Sequence, residues 1–347
     1  MRVLITGHNG YIGSVMGPIL QSAGHQVVGL DTYFFEDCGI GENGSKFSSI
    51  RKDVRDATQA DLQGFDAVIH LAALCNDPLG DLNPDWTYEI NYAASYRLAE
   101  LSKKAGVRRF LYASSCSMYG AAGDEMINEE APLRPLTPYA ISKVRAEQDI
   151  GELASSDFSP VFMRNATAYG VSSRFRADVV LNNLVCWAYT TGKVRIMSDG
   201  TPWRPIVHVE DIATAFAAAL TAPQGAIHNQ AFNVGANEEN YQVRDLAEIV
   251  RDTVPGCEIE YVGYGGPDPR SYRVDFSKLA ATLTDFRPKW NARLGAQELL
   301  IAAQRVGLTL EEFQNRKYIR LSQLKHLLSA GCLDDTLRWR GTTQEAT

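Results

Sequence analysis

Met1-Arg2-Val3-Leu4-Ile5-Thr6-Gly7-His8-Asn9-Gly10-Tyr11-Ile12-Gly13 opens the chain, and the order of its parts decides the fold. An apolar run over residues 3–6 meets three glycines spaced G-x-x-G-x-x-G, and a helical pattern over 12–23 follows at once. Gly7 permits the tight turn, Gly10 lets the backbone approach a pyrophosphate, and Gly13 lets the helix pack on the strand. Asn9, Tyr11 and Ile12 lie in the same loop, where a helix N-terminus favours negative phosphates.

The pattern repeats outward. Apolar runs at 26–30, 67–71, 109–113 and 161–164 alternate with helical patterns at 85–105 and 138–155. This predicts an α/β fold built on a Rossmann-type, doubly wound parallel sheet. Residues 209–221 read as a further helix and 231–234 as a further strand. Asp31 ends the second run. A carboxylate there accepts both ribose hydroxyls of an adenosine and repels a 2′-phosphate, which predicts NAD over NADP. Asp53 and Val54, after a short run at 49–52, are placed for the adenine. Leu71, Ala72 and Ala73 end the next run, where a bulky side chain would block the cofactor. His70 beside them reads as a hydrogen-bonded core histidine.

The chain has 347 residues, 45% of them hydrophobic and 22% charged, as expected of a soluble protein with a large core. A net charge of −7, with no basic run carrying interleaved aromatics, argues against nucleic-acid binding. The six cysteines are scattered without metal-ligand spacing, so no metal site is expected and the thiols read as reduced. No apolar stretch is long enough for a membrane span or a signal peptide, which predicts a cytoplasmic protein without membrane partners. Polar, glycine-rich stretches at 38–49, 121–130, 198–205 and 263–269 read as loops, the first of them mobile, and 340–347 as a frayed tail.

Tyr139-Ala-Ile-Ser-Lys143 carries the chemistry. Thr137 is placed as an N-cap and Pro138 at the first helical position, so Tyr139 and Lys143 share a helix face at spacing i, i+4. An ammonium there stabilises a tyrosinate, which can take and return the proton of a substrate hydroxyl.

With these motifs in one order, the chain resembles the extended short-chain dehydrogenase/reductase family, in its branch of NAD-dependent nucleotide-sugar epimerases and dehydratases. The resemblance runs to about residue 278. It rests on the glycine loop, Asp31, Asp53, Leu71-Ala72-Ala73, Tyr112-Ala113-Ser114-Ser115, Tyr119-Gly120, Tyr139/Lys143 and Arg204-Pro205-Ile206-Val207-His208-Val209-Glu210-Asp211. It implies that Ser115 hydrogen-bonds the reacting substrate oxygen, that Tyr139 is the acid/base, and that Lys143 also binds the nicotinamide ribose. It implies a nucleotide-diphosphate sugar as substrate, with Arg204 and Arg270 on the diphosphate. Thr167 stands where many relatives have an asparagine, and Asn182 or Asn183 is placed to supply an amide instead. Cys75 stands where galactose epimerases carry a lysine near the cofactor. Two parts are implied: residues 1–168 with 206–235 for NAD, and 169–205 with 236–347, a smaller mixed substrate domain ending in a helical extension. Relatives are commonly homodimers that pair the helices at 85–105 and 138–155.

The two positions after Ser115 discriminate among reactions. The family's 4,6-dehydratases carry Asp-Glu there; this chain has Cys116 and Ser117, which fits a 4-epimerase best. Cys116 is also weighed as a catalytic thiol for epimerisation at C3 or C5, or for dehydration. A 4-keto sugar reductase or oxidase, and a non-catalytic NAD-responsive regulator, are the remaining readings.

Overall fold

The computed structural model describes residues 1–40, 47–75, 77–263 and 270–341, so parts of the 38–49 and 263–269 stretches and nearly all of the 340–347 tail lie outside the described residues. Its strands are β1 (Arg2–Thr6), β2 (Gln26–Asp31), β3 (Ser49–Arg51), β4 (Ala67–His70), β5 (Arg109–Ser115), β6 (Ala121–Ile127) and β7 (Ser159–Asn165). They continue as β8 (Thr167–Tyr169), β9 (Lys193–Ile196), β10 (Trp203–His208), β11 (Gln230–Val234), β12 (Asn240–Gln242), β13 (Glu258–Tyr261) and β14 (Ser271–Val274). Seven of them form one parallel sheet in the order β11-β7-β5-β4-β1-β2-β3.

The helices are α1 (Gly13–Ser22), α2 (Asp77–Leu82), α3 (Pro84–Thr87), α4 (Ala94–Lys104), α5 (Pro138–Glu152), α6 (Val180–Thr191) and α7 (Val209–Thr221). After them come α8 (Gln224–Ile227), α9 (Val243–Thr253), α10 (Ser277–Thr282), α11 (Ala292–Val306), α12 (Leu310–Gln314) and α13 (Arg320–Ser329). Successive strand residues point to opposite faces, so β1 sends Val3 and Ile5 into a core with Met16, Leu20, Ile212 and Phe216 of α1 and α7. Its Leu4 faces the other way, onto Leu98 of α4 and Ile150 of α5. Burial on both faces explains why these strands read as continuous apolar runs. A third core gathers α6, α9 and α11 around Tyr169 and Ile206 in a second lobe.

Three departures from the sequence reading have physical reasons. The stretches 121–130 and 198–205 are not wholly loops: β6 pairs with β14, and β10 pairs with β8 and β12, so long-range partners override a glycine-rich composition. The helix expected at 85–105 is α3, a π-helical turn over Tyr88–Ala93, and α4. There the buried Asn91 amide accepts from the Leu74 N–H (2.8 Å) and donates to the Leu74 carbonyl (2.9 Å), pinning the loop after β4. Finally, the C-terminal segment crosses back to the main sheet, where Leu324, Leu327, Leu333 and Leu337 join the core that holds Leu4 and Leu30.

His70 is the core histidine that the sequence suggested. Ser95 gives its proton to the Asn91 carbonyl (2.7 Å), so His70 Nε2–H donates to Ser95 Oγ (2.8 Å) and Nδ1 accepts from Thr6 Oγ1 (2.6 Å). Burial, with Lys143 nearby, lowers its pKa to about 3. Below the unfolded value of about 6.5 the unfolded chain therefore binds a proton that the native state refuses, and this contribution to stability is lost as pH falls from there toward 3. Relative to wild type, His70→Asn should lose about 2 kcal/mol less stability between pH 7 and pH 5 in urea titrations. Parallel pH profiles would overturn the neutral assignment.

Candidate active site

A cavity of about 850 Å³ runs along the C-terminal edge of the sheet and under the second lobe. At one end lie Leu30, Asp31, Phe34, Asp53 and Val54; at the middle Gly7, Asn9, Gly10, Tyr11, Ile12, Gly13 and Leu71–Cys75; at the far end Thr167, Arg204 and Arg270. Ser115, Tyr139 and Lys143 open into the same space.

Each of these groups is held by local structure. Thr137 Oγ1 accepts from the Ala140 N–H (3.2 Å) and Pro138 is the first residue of α5, which starts the helix where the sequence placed it. Lys143 is buried. Its Nζ donates to the Ala113 carbonyl (2.7 Å) and lies 4.5 Å from the Tyr112 ring centroid and 5.8 Å from that of Tyr139. Burial lowers its pKa to about 8, leaving a charged form at neutral pH that is poorly solvated and available to a phenolate. Ser115 ends β5 and caps the following turn, its Oγ accepting from the Ser117 N–H (3.2 Å).

One turn beyond Lys143, Glu147 is buried against Arg164 of β7: Nε donates to Oε1 at 3.1 Å and Nη2 to Oε2 at 2.7 Å. Arg164 Nη1 reaches on to the Tyr119 hydroxyl (3.1 Å) and the Glu129 carbonyl (3.0 Å). This bidentate pair ties the helix that carries Tyr139 to the sheet edge.

At the other end, the Asp31 carboxylate accepts from the Asn9 N–H (3.0 Å) and the Tyr33 N–H (2.7 Å), and burial raises its pKa. Each oxygen keeps a lone pair for a hydroxyl donor. The Asp53 carboxylate lines the cavity and also accepts from Arg55, whose Nη2 (2.7 Å) and Nε (3.0 Å) both donate to it.

Two expected site residues stand elsewhere. The buried Asn182 amide is spent on the Gly170 N–H (3.0 Å), the Tyr11 hydroxyl (3.1 Å) and the Arg176 carbonyl (2.8 Å); its neighbour Asn183 lines the cavity. Cys116 is fully buried and does not line it. Its thiol points to the Arg164 carbonyl (3.1 Å), and burial pushes its pKa far up, which leaves no nucleophile or base there. The turn after β5 sends Ser115 and Ser117 toward the cavity and the residue between them into the core. The sequence reading also did not select Asn165, Arg176, Arg195 and Arg320 as ligand groups, all of which line the cavity. Only their proximity in space identifies them. Among the described residues no group of His, Cys, Asp and Glu is arranged to hold a metal ion, and no helix is long and apolar enough to cross a membrane.

A family model described as the NAD dependent epimerase/dehydratase family matches residues 3–235, the glycine loop, Asp31, Ser115 and the Tyr139/Lys143 helix included. The chain belongs to this family. A UDP-glucose 4-epimerase of Mycolicibacterium smegmatis is 30% identical over 334 residues, covering 91% of this chain and 99% of that one. A dTDP-D-glucose 4,6-dehydratase of Mus musculus is 25% identical over 286 residues, covering 78% and 79%. The structure of MoeE5 in complex with UDP-glucuronic acid and NAD superimposes with a TM-score of 0.76 at 27% identity, covering 88% of this chain and all of that one.

The cavity of this family member fits the dinucleotide. Gly7 has φ +74°, and a Cβ on it would lie 2.7 Å from the Ala72 backbone N; one on Gly13 would lie 2.3 Å from the Gly7 carbonyl oxygen. These two glycines let the turn pack directly on the backbone after β4 and on the start of α1. Asn9 Nδ2 and Arg320 Nη1 are buried donors with no protein partner, as a phosphate-bearing ligand requires.

Proposed function

We propose that the protein is an NAD-dependent nucleotide-sugar epimerase acting at C4 of the sugar. One observation carries this reading: among the described residues, the carboxylates that line the cavity are Asp31, Asp53 and Asp178, and none is free at the Ser115/Tyr139 end. Asp53 is held by Arg55 and Asp178 by Arg176 (2.8 Å), while Asp31 lies at the adenosine end. Elimination of water from a sugar needs an acid for the leaving hydroxyl and a base at the neighbouring carbon, and this end of the site offers a tyrosine and serines.

In this reading Gly7, Asn9, Gly10, Tyr11, Ile12 and Gly13 hold the cofactor diphosphate, Asp31 its adenosine ribose, and Lys143 its nicotinamide ribose. Bound NAD supplies the acceptor for the C4 hydride and returns it. Tyr139, as phenolate beside the Lys143 ammonium, takes the proton of the C4 hydroxyl and later gives it back. Ser115 donates a hydrogen bond to the same oxygen, polarising it while it is a ketone. Proton and hydride both return, so the net change is the configuration at one carbon. Arg204 and Arg270 are assigned to the substrate diphosphate, which two guanidiniums hold by charge-assisted bonds, and Thr167 to the sugar. The helices that would pair in a homodimer already lie together, with Tyr92 donating to Asp149 and the Arg145 guanidinium 5.2 Å from the Tyr88 ring centroid. Six free cysteines agree with a reducing, cytoplasmic setting.

Incubation with UDP-, dTDP-, GDP- and CDP-sugars in heavy water, without added cofactor, tests the reading. The expected product is a C4 epimer with no ring deuterium. Ring deuterium at C3 or C5, loss of water, or product only with stoichiometric NADH or NAD would overturn it.

A further inference from the structure

Three arginines from two distant parts of the chain meet beside the glycine loop. Arg174 Nε donates to the Asn9 side-chain oxygen (2.9 Å), and Arg320 Nη2 donates to the Arg174 carbonyl (2.6 Å). Arg176 donates from Nη1 to Cys75 Sγ (3.2 Å) and from Nε to Asp178 (2.8 Å). All three side chains are buried, and Arg176 and Arg320 line the cavity. Arg320 is 2% exposed, lies 4.7 Å from the Phe35 ring centroid, and has Nη1 without a protein partner. Burying a guanidinium with an unmet donor is costly unless an anion completes it. Asp178 is the acid near both cavity-lining guanidiniums, Arg176 and Arg320, while Asp31, Glu36 and Asp37 lie about Arg174.

We infer that Arg176 and Arg320 form a second, cationic half of the cofactor's diphosphate site, opposite the backbone N–H groups of the glycine loop. Arg320 opens α13, so the C-terminal segment is part of the cofactor site and closes it. That segment is fastened to the rim of the site. Arg55 Nη1 and Nη2 donate to the Thr336 and Leu337 carbonyls (2.7 and 3.0 Å), Trp339 Nε1 donates to the Thr32 carbonyl (2.6 Å), and Gln323 Nε2 to that of Phe34 (3.2 Å). The dinucleotide, rather than the sugar nucleotide, is the diphosphate concerned. Arg320 holds the carbonyl of Arg174, and Arg174 in turn donates to Asn9 of the loop, whereas Arg204 donates to the Arg270 carbonyl, away from the loop. The inference rests on NAD as the cofactor and not on which sugar reaction follows.

The test is binding to cofactor-stripped protein by calorimetry. Arg320→Met should weaken NAD and ADP-ribose about 10- to 100-fold, the size expected for loss of a charge-assisted contact. Adenosine, which lacks phosphate, and UDP-glucose should bind as in wild type, and Arg320→Lys should recover most of the loss. Unchanged NAD affinity, or equal loss for adenosine, would overturn the assignment, and loss confined to UDP-glucose would give the site to the substrate. Hydrogen exchange on the wild-type chain covers a variant that fails to fold. NAD should protect the amides around Ile319–Leu321, and absence of protection there would also overturn it. Failure of the epimerase reading would alter products and leave these affinities untouched.

Discussion

Tyr139→Phe should lower turnover of the accepted nucleotide sugar by about 10²- to 10⁴-fold, the usual contribution of a positioned acid/base. It should leave NAD and substrate affinity within a few-fold of wild type. The substitution removes one oxygen and keeps the ring, whose place is fixed by α5 and whose neighbour Lys143 stays anchored on the Ala113 carbonyl. A loss in kcat with little change in KM is the signature of an interaction made only during reaction. Turnover above a tenth of wild type would remove Tyr139 from the acid/base role. A regulator that only senses NAD would keep its function in this variant.

Arg164→Met should cost about 3–5 kcal/mol of stability, because it strands the Glu147 carboxylate in the core. Both residues are 6% exposed, and three hydrogen bonds of 2.7 to 3.2 Å join them. The double substitution Arg164→Met with Glu147→Leu should be more stable than Arg164→Met alone, since it removes the orphaned charge. Urea unfolding measures both. A loss below about 1 kcal/mol for the single variant would mean that the pair does not hold α5 to the sheet.

The parts of the site that could be read from the sequence are those built from adjacent residues. The glycine loop, Asp31 at the end of β2, and the Thr137–Pro138 cap before Tyr139 and Lys143 each follow from local rules, and the structure places them on one cavity. Cys116 shows the limit. Spacing put a thiol next to Ser115, but the turn after β5 decides which of three successive side chains reaches the cavity, and no period announces that turn. Asn182 and Asn183 pose the same problem on α6, where one residue is a 100° rotation. Arg320 is further still, since it meets Arg174 only after the chain has returned across 146 positions. The strands β6 and β10 were hidden for a related reason, their partners β14 and β12 lying far along the chain.

The return of the C-terminal segment also sets the order in which the protein can be finished. Trp339 closes on Thr32 across 307 positions, and Leu324, Leu327, Leu333 and Leu337 complete a core begun by Leu4 and Leu30. On the ribosome, β1 to β5 emerge long before these leucines exist, so the growing chain presents an uncovered apolar face until they are made. A prematurely ended product keeps that face open, a mark by which chaperones and proteases separate unfinished chains from finished ones.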